Sequence, residues 1–395
     1  YPILAWQTGS AEPDPDQPES DPNGWDGTTG KVPDQAEGVY QISSAAELKW
    51  FADTAKKLPE IKGALTTDID LNHQSWTPIA AFAGELDGQN HTVQNLYCKT
   101  NGAAGLFAQN AGTIRNLKVD GKVIGGDQTA AVAAQNRGTI ENCTSMAVVK
   151  GGNYTGGITG ENNGTIRDCT NMGIVRGNGK VAGIAGENKG TDSSPAKVEG
   201  GVNTGLIWSE SDMVGGIVGN NDISGADFGQ ASVRNSANSG AIISQAAVVR
   251  SYTGGCVGRN NGSVDKLYNS GNVESRGGCT GGTLGLNLSK AIKGNVYNVG
   301  DVTGGDYEDE GYPTDNGVSS EEELALARRD MKDVLARLSD RDAMDGSLTL
   351  SGNAEVGAKI QAEYTGSRTG LIYVWYYSYD ENDDAVLDIT EEATY

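Results

Sequence analysis

Acid–base and nucleophilic chemistry has few places to sit in this chain. Its ionisable side chains are 52 Asp and Glu, 30 Lys and Arg, and two His. A glycoside hydrolase needs two carboxylates at a set separation across the scissile bond. A polysaccharide lyase needs clustered acids for calcium and an Arg or Lys base. Glu141, Asp168 and Asn116 are read as sharing one register of a repeat, one per coil, which makes them a solvated face and not a converging set. Asp68 and Asp70 near His73 could suggest a site, and His91, in the turn from Asp87 to Thr92, is read as structural. No CxxC or HExxH occurs, and no nucleophile elbow or phosphate loop ending in Lys-Ser/Thr. Catalytic, cofactor-binding and metal residues are therefore each expected to be none, and no cofactor is expected. Tyr154, Trp208, Tyr252 and Tyr307 could stack on sugars, but the first reading is corner residues packed on neighbouring coils. The odd count of five cysteines (Cys98, Cys143, Cys169, Cys256 and Cys279) cannot pair completely, so they are read as small buried apolar groups.

Composition narrows the partners. Glycine makes up 57 of 395 residues, aromatics are 6%, and the formal charge is −22. Such a chain lacks the footprint to neutralise phosphates, so nucleic acid is not expected as a partner, and an anionic membrane surface is not expected either. No run reaches the ~18–20 apolar residues of a membrane span, and glycine shows no Gly-X-Y period. With no initiator Met, signal sequence or sorting tail, the chain reads as an excerpt.

The element that would position any surface chemistry is a repeat. Asn110-Ala111-Gly112-Thr113-Ile114, Asn136-Arg137-Gly138-Thr139-Ile140 and Asn162-Asn163-Gly164-Thr165-Ile166 recur every 26 residues. Leu106, Val132, Ile158 and Ile184 keep that step, as do Val123, Val149 and Val175. Later phrases, from Asn203-Thr204-Gly205 to Asn298-Val299-Gly300, step by 29–35 residues, which implies insertions at Asp192 to Lys197 and Asn221 to Gln230. Each repeat shows three short strand patterns and no helical one. This predicts an all-β chain: a right-handed, three-sided parallel β-helix with coils of about 26 residues, glycine at positive-φ corners and asparagine side chains stacked into a ladder.

The flanks differ. Residues 1–7 are apolar and read as the tail of a preceding module; 8–38 form an acidic, Pro-rich linker, solvated in preference to a calcium loop at Asp21 to Asp26. Residues 39–100 are expected to hold an N-terminal cap, with a capping box at Ser44 and Glu47 and a helix to about Lys57, and the first coils. The repeats occupy 101–305. Residues 306–346 hold an acidic loop and a helix that caps the last coil or links onward, with the cap favoured, and 347–395 hold a truncated β-sandwich-like module around Trp375.

From Gly38 to Gly305 the sequence resembles bacterial cell-surface proteins with GLUG-type repeats. The resemblance rests on Val39 to Leu48, Leu65 to Leu71, Trp76 to Ile79, the run Phe82 to Leu96, Gly105-Leu106-Phe107 and the Gly-Thr-Ile phrases. In that context Asp68 and Asp70 become ordinary parts of a capping turn. The tail resembles the start of a bacterial immunoglobulin-like repeat. These resemblances imply an extracellular, cell-wall or cell-surface attached, non-enzymatic adhesin or stalk. Its partners would be an extracellular glycan or host protein and the neighbouring modules of the same chain, with no membrane insertion in this segment. Two alternatives stand beside it: a polysaccharide-active β-helix enzyme, and an accessory non-catalytic region of a large secreted peptidase.

Overall fold

The computed structural model describes residues 16–304 apart from 211, 225–229, 247–249 and 289–290, then residues 319–339, and the backbone of four strands between Leu348 and Thr390. Residues 1–7, Tyr307, most of the acidic loop and the side chain of Trp375, all singled out above, lie outside the described residues.

The repeat folds as a parallel β-helix. Ile114, Ile140 and Ile166 are in register on successive coils, and so are Val123, Val149 and Val175. All six side chains are fully buried. Burying one such side chain contributes about 1.5–3 kcal/mol, and the repeat renews that gain on every turn. The three expected strand patterns per repeat resolve into five short strands. In one coil Ala133–Asn136 lies in a seven-stranded sheet, Thr139–Glu141, Thr144–Ser145 and Val148–Lys150 lie in a 24-stranded sheet, and Tyr154–Gly156 lies in a six-stranded sheet. The large sheet bends between its strands at left-handed residues that stack on one another: Asn116 (φ 52°), Asn142 (φ 53°) and Asp168 (φ 52°).

Glycine has a different task from the one expected. Among the described residues only six glycines have φ in the left-handed region, and the coil corners are mostly Asn. The glycines are needed for close approach. A Cβ on Gly205 would lie 1.9 Å from the Gly173 carbonyl oxygen, and one on Gly240 would lie 1.9 Å from that of Gly205. Any side chain there would hold neighbouring coils apart.

Two asparagine ladders run along the rod. Asn110, Asn136, Asn162, Asn188, Asn221, Asn260 and Asn287 each donate from Nδ2 to Oδ1 of the next, at 2.7–2.8 Å. Asn171, Asn203, Asn238, Asn269 and Asn298 do the same at 2.7–2.8 Å. A buried amide without partners is costly. Here most of the amides also bond the backbone of their own corner, as Asn162 does with Gly164.

The N-terminal end is closed by helix α1 (Ala45–Ala55). Ser44 caps it, accepting from the Glu47 amide at 3.3 Å. The Glu47 carboxylate turns to Ser43 and Lys31 instead of completing the expected box. Phe51 of α1 meets Phe82 at 6.0 Å, and Phe82 meets Phe107 at 5.0 Å, so the helix core continues into the first coils.

The segment expected as a solvated spacer is docked from Asp16 onward. The buried Asn72 amide accepts from the Asp21 backbone N–H and donates to the Asp21 and Trp25 carbonyls, and Trp25 packs against the core. Asp34–Ala36 adds an antiparallel strand to Val39–Ile42. One asparagine satisfying three backbone groups gives the acidic stretch a tether that its composition does not suggest.

The helix after the coils is two helices, α2 (Glu321–Asp330) and α3 (Lys332–Ser339). Ser319 joins them to the Asn298 backbone on the last coil. Ala327, Met331 and Val334 then pack on Val202, Ala237 and Tyr297. The pair therefore runs back along the flank of several coils and does not lie only across the end. The chain divides into units 1–338 and 339–395. The second consists, among the described residues, of two antiparallel pairs: Leu348–Gly352 with Ile360–Tyr364, and Tyr373–Ser378 with Asp384–Thr390.

Candidate functional site

Parallel stacking places equivalent outward side chains one coil apart, about 4.8 Å, so surface chemistry must be read by column. On the large sheet one column reads Asp87, Arg115, Glu141, Arg167, Glu199, Arg234 and Asp265, alternating in sign throughout. Arg115 lies 3.0 Å from Asp87 and Arg167 lies 3.6 Å from Glu141. This corrects the reading of Glu141 with Asp168 and Asn116. Glu141 belongs with Arg115 and Arg167, and the other two sit one residue further on, at the left-handed bend.

A second set crosses the corner where the six- and seven-stranded sheets meet. Glu161 and Glu187 are in register on adjacent coils. Lys180 and Asn220 both donate to Oε1 of Glu187, at 2.8 and 2.9 Å. Arg259 donates to Asn220 at 3.2 Å and lies 3.7 Å from Asp222. The Lys180 ammonium also sits 4.5 Å above the Tyr154 ring. The sequence reading missed the Glu161–Glu187 pair, although the 26-residue step links the two numbers directly. A coil step is close to the ~5–5.5 Å carboxylate separation of retaining glycosidases, yet Oε1 of Glu187 is already committed to two donors. The network joins three coils and works as a lateral clamp.

The other singled-out residues are spent locally. Asp68 accepts from the Thr92 amide at 2.8 Å and faces His91 at 3.3 Å. These contacts, the amide bond first, hold its carboxyl below the ordinary range. Asp70 accepts from the Asn72 amide and from Asn95. Asp26 accepts three hydrogen bonds from Thr28 and Thr29, and these, Thr29 first, push its carboxyl far down. Asp21 accepts from Asn23 within its own turn. Trp208 is buried beneath the Arg176 guanidinium at 4.0 Å, while Tyr154 and Tyr252 are half-buried on one column, three coils apart with Lys180 and Met213 between them. The five thiols are free and buried, and burial raises that of Cys98 to about 11.

Of the cavities, one of about 350 Å³ separates α3 from the large sheet and is lined by Arg167, Asp168, Glu199, Asn235, Asp333 and Arg337. Arg337 donates to the Gly200 carbonyl and lies 3.6 Å from Asp168. Burial lowers its guanidinium and Asp168 opposes the shift. Another, of about 580 Å³, lies by Tyr40, Leu58, Pro59 and Ile61 at the N-terminal end. Among the described residues no group of three or more His, Cys, Asp or Glu is arranged to hold a metal ion.

No protein-family model matches the chain. In fold it is similar to the crystal structure of a Bacteroides ovatus protein described as a "putative immunoglobulin A1 protease". The TM-score is 0.54 at 21% identity, covering 75% of this chain and 87% of that one. That likeness supports the β-helix. A stretch of 111 residues, 25% of the chain, is 33% identical to halomucin of Haloquadratum walsbyi, of which it spans 1%.

Proposed function

We propose that the chain is a non-catalytic rod of a larger exported protein, an adhesin or stalk that presents its outward columns to an extracellular glycan or host protein. The observation that carries this is the use made of the surface charge. Arg115–Asp87, Arg167–Glu141, Lys180–Glu187 and Arg259–Asp222 tie coil to coil, or sheet to sheet within the rod. Acids deployed in this way serve a scaffold. The GLUG-type resemblance and the halomucin stretch support an extracellular setting, and cell-wall attachment belongs to the same reading.

A second reading has one observation in its favour, the printed description of the Bacteroides ovatus neighbour: the rod would be an accessory, non-catalytic part of a large secreted peptidase. Glycan arrays scored both for saturable binding and for released reducing ends test the first reading. Turnover abolished by Glu187→Gln would overturn it. Saturable binding without turnover supports it, and the modules flanking the chain in its gene separate rod from peptidase accessory.

A further inference from the structure

We infer that one face of the rod is a binding stripe for a linear acidic polysaccharide, carboxylated or sulfated. The inference deepens the non-catalytic reading and rests on it. On the third strand of the large sheet the outward column runs Lys99, Ile124, Lys150, Arg176 and Trp208. Lys122, two residues before Ile124, adds a fourth cation on the coil that the column leaves apolar. Four successive coils thus each carry a cation, three on the column and Lys122 beside it, in a chain whose formal charge is −22. The column turns acidic only at Glu274, two coils beyond Trp208.

Three details point to an anionic ligand. The carboxylate of Asp16 lies 2.7 Å from Lys99 and 3.8 Å from Lys122, so one end of the stripe already holds a carboxylate from the docked N-terminal segment. Arg176 is fixed at the other end by the Trp208 ring at 4.0 Å and by Glu210 at 3.2 Å. Between them Lys150 is exposed, and no carboxylate among the described residues pairs with it. The spacing favours a sugar chain. On the column Lys99 and Lys150 stand two coil steps apart and Lys150 and Arg176 one, at multiples of ~4.8 Å, close to two sugars and one sugar of an acidic glycan, whereas phosphates along one DNA strand rise ~3.4 Å.

The test uses the whole 395-residue protein on immobilised heparin, hyaluronan, dextran and duplex DNA at a low salt concentration of about 50 mM. Binding to heparin or hyaluronan that weakens steeply with salt, with dextran unbound, is expected. Lys150→Glu should weaken it about tenfold or more, equivalent to about 1.4 kcal/mol. Asp16→Asn, which removes the carboxylate charge that lies against Lys99 and Lys122, should strengthen it several-fold. Lys57→Glu, exposed and off the stripe, should leave it unchanged. Lys150→Gln repeats the test if the Glu variant fails to fold. Absence of binding to both acidic glycans, indifference to Lys150 substitution, or equal affinity for DNA overturns the inference. Binding confined to dextran also overturns it while leaving the non-catalytic reading intact. Binding at the stripe accompanied by released reducing ends upholds the stripe and removes the non-catalytic reading.

Discussion

Replacing Asn162 with alanine tests whether the asparagine ladder holds the coils together. Asn162 accepts from Asn136 at 2.8 Å and donates to Asn188 at 2.7 Å. It also accepts from the Gly164 amide at 3.2 Å and reaches the Gly164 and Lys197 carbonyls. Alanine leaves two buried groups bereft, the Asn188 Oδ1 and the Gly164 N–H. Asn136 keeps the Gly138 and Thr165 carbonyls as acceptors, so it is not orphaned. At about 1–3 kcal/mol per stranded buried group, the loss should be about 2–6 kcal/mol. Asn287, at the end of the ladder, only accepts from Asn260 within the series, so Asn287→Ala strands one buried group, the Asn260 Nδ2, and should cost about 1–3 kcal/mol. Denaturant unfolding ranks the two variants. Hydrogen exchange locates the damage, because repeats couple mainly to their neighbours and the loss should centre on the coils of Asn136, Asn162 and Asn188. Equal destabilisation by the two substitutions, or an Asn162→Ala change within about 0.5 kcal/mol of zero, would refute the ladder as a source of cohesion.

Gly240→Ala should fail to fold or lose well over the ~1–3 kcal/mol of ordinary overpacking, since its Cβ would meet the Gly205 carbonyl at 1.9 Å; soluble yield and melting temperature report it. Met331→Ala, on a side chain 1% exposed, should cost about 2–5 kcal/mol locally, with hydrogen exchange rising in 321–339 and not in the N-terminal coils. Burial alone would raise the Glu47 carboxyl, but the bonds from Lys31 and Ser43 outweigh it and hold it below the ordinary range. Its stabilisation is therefore complete above an unfolded value of about 4.3 and is lost as pH falls through the lower folded value. The melting-temperature gap between wild type and Glu47→Gln should close on acidification, and a gap that widens would contradict the sign. Finally, a thiol reagent should label none of the five cysteines in the native rod and all of them in denaturant.

What could be read from the sequence was whatever repeats. The step of 26 residues gave the coil, its buried Ile and Val columns, and the Asn stacks, because in a parallel register identity at a fixed spacing is contact. The same arithmetic applied one residue out of phase misplaced Glu141: a β register inverts side-chain direction at every residue, so the slip turned an ion-paired column into a lone acid. The Glu161–Glu187 stack follows from the same step. Other features were not periodic and so left no such trace. The docking of Asp16 to Trp25 depends on Asn72, on Lys99 and Lys122 facing Asp16, and on Trp25 packing against the core. The return of α2 and α3 along the flank depends on which apolar residues the coils leave uncovered, Val202 and Ala237 among them. Both are tertiary choices that a local pattern does not encode.

The register also constrains how charge can be spread over the rod. Two like charges one coil apart repel by about 1 kcal/mol even in bulk water, and a column repeats that cost along its length. Evolution of the outward face therefore has three routes: alternate the signs, dilute the charges, or supply counter-charges. The column from Asp87 to Asp265 takes the first. The Glu161–Glu187 pair takes the third, through Lys180. The Lys99 to Arg176 stripe takes the third only at its ends, through Asp16 and Glu210. Its middle, at Lys150, has no internal counter-charge among the described residues. A like-charged column left open at its centre, on a rod that balances the Asp87–Asp265 column and pairs Glu187 with Lys180, is where an external polyanion relieves repulsion. This is why the test falls on Lys150 and not on the aromatic residues that first suggested sugar binding.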